Sequence, residues 1–129
     1  MTLSLGRIHQ IAVQASDLDQ SVAFYRDTLG AEFIARFDPP GLAFFRFGDT
    51  RILLEKAGPP ATLYFRVADL SRAYDELRGR GVRFDSEPHL IHRDEEGYFG
   101  PPGTEEWMAF FRDPDGNLLA LAAQVAPGG

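Results

Sequence analysis

The sequence contains no cysteine, which excludes disulfide cross-links and thiolate chemistry. Lysine is nearly absent: Lys56 stands alone, and arginine carries the other positive side-chain charges. Positive charge is in deficit, with 13 Lys and Arg against 19 Asp and Glu, a formal net charge of −6. No basic patch interrupts that balance, so nucleic acid is not an expected partner. Long apolar runs are missing too. The stretch Leu118 to Ala123 is far short of the ~20 residues that span a bilayer, and no membrane association is expected. The first residues show no basic region followed by an apolar one, which gives the expectation of a cytoplasmic protein.

What is present is the composition of a folded domain. Of the 129 residues, 44% are hydrophobic and 11 are Phe, enough for one domain over 1–129 with a sizeable core. The chain also repeats itself. Ile11 to Gly30 reads IAVQASDLDQSVAFYRDTLG, and Leu63 to Gly81 reads LYFRVADLSRAYDELRGRG. Each copy opens as a short strand, reaches an Asp-Leu pair, runs through a helical pattern and stops at glycine. Asp17 and Asp69 can cap the two helices through their carboxylates. Leu18, Val22, Tyr25 and Leu29 form one apolar stripe, and Leu70, Ala73, Tyr74 and Leu77 form its counterpart.

Three strand-like segments follow each helix: Glu32 to Asp38, Leu42 to Phe47 and Arg51 to Lys56, then Val82 to Arg93, Trp107 to Arg112 and Leu118 to Gln124. Asp113-Pro114-Asp115-Gly116-Asn117 is a hairpin signal, with proline and glycine where a tight turn uses them. Asp94 to Glu106 lacks apolar periodicity and reads as a long loop. The expected fold is α+β, built from two βαβββ modules over about 7–57 and 61–125.

The strand containing His9, the phrase DLDQSVAFYRDTLG, the strand end ILLE at Glu55 and the phrase FFRDPDGNLLAL together resemble the vicinal oxygen chelate superfamily. Its members include glyoxalase I, methylmalonyl-CoA epimerase, extradiol dioxygenases and bleomycin-resistance proteins. The resemblance implies a small-molecule cleft between curved sheets, a homodimer, and a divalent metal held by ligands from the first and last strands of each module. It places His9 and Glu55 at two of those positions, where they would serve as metal ligands or as catalytic acid and base.

The second module departs from that pattern. A shift by the 52-residue repeat carries His9 onto Ala61, and the matching apolar run carries Glu55 onto Ala120; alanine cannot ligate a metal. A third donor must then come from elsewhere. His89 and His92 are spaced to lie on opposite faces of a regular strand, and His92 is the candidate because it adjoins the long loop. Trp107, Phe110 and Tyr98 are candidates to line the substrate cleft, and Tyr98 and Phe99 need a partner surface in their Gly/Pro-rich loop. Two readings stay open. One is a lyase- or isomerase-type enzyme with a degenerate metal site; the other is a metal-free protein that binds a drug or metabolite. Either way, methylglyoxal–glutathione lyase activity is not expected.

Overall fold

The computed structural model describes residue 3 and residues 5–127. Its backbone contacts divide into two units, 1–61 and 62–129. In the first, β1 (Gln10–Gln14) leads into a helix, α1 (Leu18–Ala23), and then into β2 (Glu32–Phe37), β3 (Leu42–Phe47) and β4 (Thr50–Glu55). The sheet order is β1-β4-β3-β2, with β1 parallel to β4 and the other pairs antiparallel. In the second unit, β5 (Thr62–Arg66), α2 (Leu70–Gly79), β6 (His89–Asp94), β7 (Thr104–Arg112) and β8 (Leu118–Val125) repeat the plan in the order β5-β8-β7-β6. Among the described residues, no helix is long and apolar enough to cross a membrane.

The helix caps form as their chemistry demands. Asp17 Oδ1 accepts from the Gln20 amide and Asp69 Oδ1 from the Arg72 amide, both at 3.1 Å. The helices themselves differ by one residue between capping Asp and terminal Gly, and α1 absorbs the extra residue. Phe24–Thr28 continues it as a π turn, with the Leu29 amide reaching back five residues to the Phe24 carbonyl at 3.0 Å. Tyr25 is fully buried there and packs on Phe45.

The cores of the two units match rung for rung. The tetrapeptide Ala-Phe-Phe-Arg occurs at 43–46 and again at 109–112. Ala43 lies opposite Leu54 and Ala109 opposite Leu121; Phe45 lies opposite Ile52 and Phe111 opposite Leu119. All eight of these residues are at most 5% exposed. Tyr25 meets Phe45, and Phe84 bridges Tyr74 of α2 to Phe111, so these residues mark the helix-covered face of each sheet. Residues of opposite parity occupy the helix-free face.

Two segments differ from the sequence expectation. Regular pairing in the strand expected from Val82 starts only at His89, because Pro88 has no amide to donate to a ladder; Phe84 makes one isolated bridge to Phe111. β7 starts earlier than expected, at Thr104, so Glu105 and Glu106 are strand residues and the loop shrinks to 95–103.

Candidate functional site

The helix-free face of the first unit carries Gln10, Ala12 and Gln14 on β1, paired with Arg51, Leu53 and Glu55 on β4. Arg51 is its main charged feature. Its Nε donates to Gln10 Oε1 at 2.8 Å, and its guanidinium lies 5.5 Å from the Phe44 ring centre. Arg51 Nη2 lies 2.9 Å from His9 Nε2. Guanidinium can only donate, so the imidazole accepts through Nε2 and that lone pair is already engaged.

This geometry corrects the sequence expectation for the pair His9 and Glu55. His9 precedes β1 and is exposed; Ile11 and Val13, which share its parity in the sequence, lie on the helix-covered face opposite Ile52 and Leu54. Glu55 pairs with Gln14 at the other end of the strand. Five residues of parallel ladder, at about 3.3 Å each, separate the two groups by roughly 16 Å along the strands. The equivalence across units also shifts: Tyr64 pairs with Ala120 as Ala12 pairs with Leu53, so Ala122 and not Ala120 is the counterpart of Glu55. Gln10, one residue after His9, corresponds to Thr62.

In the second unit a β-bulge decides which side chains share a face. Leu90 pairs with Trp107 and His92 with Glu106, leaving Ile91 as an extra residue. The bulge puts His89, opposite Met108, on the same face as His92; the regular alternation assumed from the sequence does not hold here. That face is the helix-free one, since Glu106 and Phe110 alternate with Trp107 and Phe111. Phe110 meets Tyr64 and His89 there. Trp107, expected in the ligand cleft, instead falls on the parity of buried Ala109 and Phe111, with its Nε1 donating to Glu105 Oε1 at 2.9 Å. Tyr98 sits in the loop and is 78% exposed.

At one end of this face lies a pocket of about 250 Å³, lined by His92, Asp94, Phe99, Thr104, Glu106 and Gln124. Strand pairing builds most of it: Glu106 is flanked by His92 on β6 and Gln124 on β8, and Asp94 faces Thr104. Glu106 Oε2 is buried and has no hydrogen-bond partner. Asp94 is also buried, but both of its carboxylate oxygens are bonded, accepting from the Phe99 amide at 2.8 Å and the Tyr98 amide at 2.9 Å. The sequence pointed to His92 and to the two loop aromatics. It offered no signal for Thr104 or Gln124, whose role depends on strand register alone.

The amide of Phe99, then those of Tyr98 and Gly97, hold the Asp94 carboxyl below the usual carboxylate range against the opposing effect of burial, with help from the nearby His92 charge. A depressed folded-state value stabilises the loop at any pH above the unfolded value of about 3.9, and the contribution is lost as pH falls through the folded value. Protection of the Tyr98 and Phe99 amides, relative to their unprotected exchange rates at the same pH, should therefore hold to about pH 4 and fall below it. Asp94→Ala should remove that protection at neutral pH, by about tenfold or more. Unchanged exchange in the variant would show that the loop is held by something else.

The shared architecture and paired strand ends can be set beside known proteins. A family model for the Glyoxalase/Bleomycin resistance protein/Dioxygenase superfamily matches residues 7–121. The chain belongs to this superfamily. An ethylmalonyl-CoA/methylmalonyl-CoA epimerase of Cereibacter sphaeroides is 31% identical over 99 residues, covering 61% of this chain and 74% of that protein. The fold matches lactoylglutathione lyase from Agrobacterium tumefaciens with a TM-score of 0.69, at 24% identity over 92% of this chain and 94% of that one. It matches TnmS3, an antibiotic binding protein from Streptomyces sp. CB03234, with a TM-score of 0.70, at 23% identity over 95% and 98% of the two chains. One fold thus serves both a lyase and an antibiotic-binding protein, and only the site residues distinguish such roles.

A divalent metal, which the superfamily implies, does not fit the donors found here. The helix-free faces of the first and last strands offer Gln10, Ala12, Gln14, Arg51, Leu53 and Glu55 in one unit, and Thr62, Tyr64, Arg66, Leu118, Ala120 and Ala122 in the other. Glu55 is the sole carboxylate among them, and none is a histidine. Among the described residues, no three His, Cys, Asp or Glu side chains lie together so as to hold a metal.

Proposed function

We propose that this superfamily member binds a small organic molecule without a metal ion, in the manner of a drug- or metabolite-binding protein. The observation that carries the reading is the register of the first and last strands. That register leaves Glu55 as the one anionic donor where the resemblance calls for a ligand set, with neutral or apolar side chains at the other positions, while His9 is engaged by Arg51. A catalytic zinc site uses three protein ligands, and the strand ends supply one. The pocket at Glu106 supports the binding role: it has apolar and polar walls and a buried acceptor with nothing bonded to it. The antibiotic-binding TnmS3, of the same fold, is an example of such a use.

The test uses protein purified without a histidine tag, incubated with nickel or zinc and then desalted. The expected result is substoichiometric metal and no turnover of the methylglyoxal–glutathione adduct above the uncatalysed rate. Retention of one equivalent of metal together with turnover would overturn the proposal.

A further inference from the structure

Resting on that reading, we infer that the pocket of the second unit takes an organic ammonium ion carried on an apolar body, with Glu106 as its counter-charge. The inference starts from the imbalance between two carboxylates in one small pocket. Asp94 spends both oxygens on the amides of Tyr98 and Phe99, so it shapes the wall and has little left to offer a ligand. Glu106 is less buried as a residue, but its Oε2 is buried and bonds to nothing. A buried acceptor without a partner is costly, and in a native protein it marks a place where something else supplies the donor.

The surroundings specify that donor. Glu106 sits between His92 and Gln124 on adjacent strands, and Gln124 offers a further carbonyl acceptor. Phe99 lines the pocket as a residue 76% exposed, with its ring edge-to-face with Tyr98 at 6.4 Å. An aromatic face beside a carboxylate attracts a cation through its quadrupole as well as through charge. His92, Asp94 and Glu106 do not form a cluster able to hold a metal, so a compact divalent ion is not the match. At about 250 Å³ the pocket lies just below the range of about 300–1,000 Å³ typical of drug-sized ligands, which suits one ring with a short amine arm. An ammonium donates to Glu106 while its ring packs on Phe99.

The probes are benzylamine, benzyl alcohol and benzoate, which share a ring and differ in charge. They are titrated at neutral pH into ¹⁵N-labelled full-length protein. The expected result is that benzylamine shifts the amides of Phe99, Thr104 and Glu106 and binds about tenfold tighter than benzyl alcohol, with benzoate weakest, because a charge-assisted hydrogen bond is roughly twice as strong as a neutral one. Glu106→Gln should bring benzylamine down to the affinity of the alcohol and leave the alcohol unchanged. Phe99→Ala should weaken all three probes. Each variant's spectrum reports directly whether it is folded. Equal binding of amine and alcohol, a preference that survives Glu106→Gln, shifts confined to other residues, or no binding of any probe would each overturn the assignment. Those outcomes leave metal-independent binding standing. Loss of probe binding on chelation of a retained metal would instead bring down the reading beneath it.

Discussion

Phe45→Ala should lower the unfolding free energy of the first unit by about 3–5 kcal/mol, the range for removing a large buried aromatic. Phe45 is fully buried, with ring centres of Phe33 at 5.4 Å and Tyr25 at 6.0 Å. It stands opposite Ile52 within the β3–β4 ladder, in a close-packed core where a cavity is costly. Phe37→Ala is the control. Phe37 is 53% exposed, and its loss should cost less than about 1 kcal/mol. The single tryptophan, Trp107, lies in the second unit, so the first unit needs its own reporter, such as amide exchange at Leu54 and Val13. Equal protection in the two variants would show that the duplicated core is not what holds this unit together.

A loss of similar size is expected from Asp113→Ala, and here Trp107 fluorescence can follow unfolding. Asp113 is 5% exposed and ties the β7–β8 hairpin together. Its Oδ1 accepts from the amides of Asp115 at 3.0 Å and Asn117 at 2.8 Å, and its Oδ2 accepts from Asn117 Nδ2 at 2.8 Å. Alanine leaves those donors unmatched beside a side chain, Asn117, that is itself 4% exposed. The cost should be about 2–4 kcal/mol, since each buried group left without a partner costs about 1–3. Asp113→Asn should cost less, about 1–2 kcal/mol, because one oxygen remains to accept while the amide nitrogen faces a donor. If alanine and asparagine behave alike, the carboxylate's hydrogen bonds do not govern the turn.

The fold was legible in the sequence because its signals are local. A capping Asp, an apolar stripe and a terminal Gly each need only a few neighbouring residues, and the two copies reinforced one another. Even the one-residue difference between the helices was countable, although its expression as a π turn at Phe24–Thr28 was not. The repeated Ala-Phe-Phe-Arg was also open to view; it aligns β3 with β7 more firmly than the apolar run that set Glu55 against Ala120.

The site was harder to read because it depends on parity and register. A side chain changes face with every residue, so one misplaced step moves a whole set of candidates to the wrong side. His9 belongs to no strand, and the bulge at Ile91 brings His89 and His92, expected on opposite faces, onto one face. Glu106 was readable only as half of an acidic pair, because the ladder and not the composition places it between His92 and Gln124.

The same extra residue has a consequence far from ligand chemistry. β2 and β6 are outer strands of their sheets, and each is bulged, around Ile34 and around Ile91. They also expose Phe33, Ile34, Phe37, Leu90 and Ile91. A straight border this greasy would invite neighbouring molecules to add strands and grow into fibrils. The kinks break the regular row of amides that such growth needs. Deleting Ile91 would make a flatter border, and the cost would be paid in solubility.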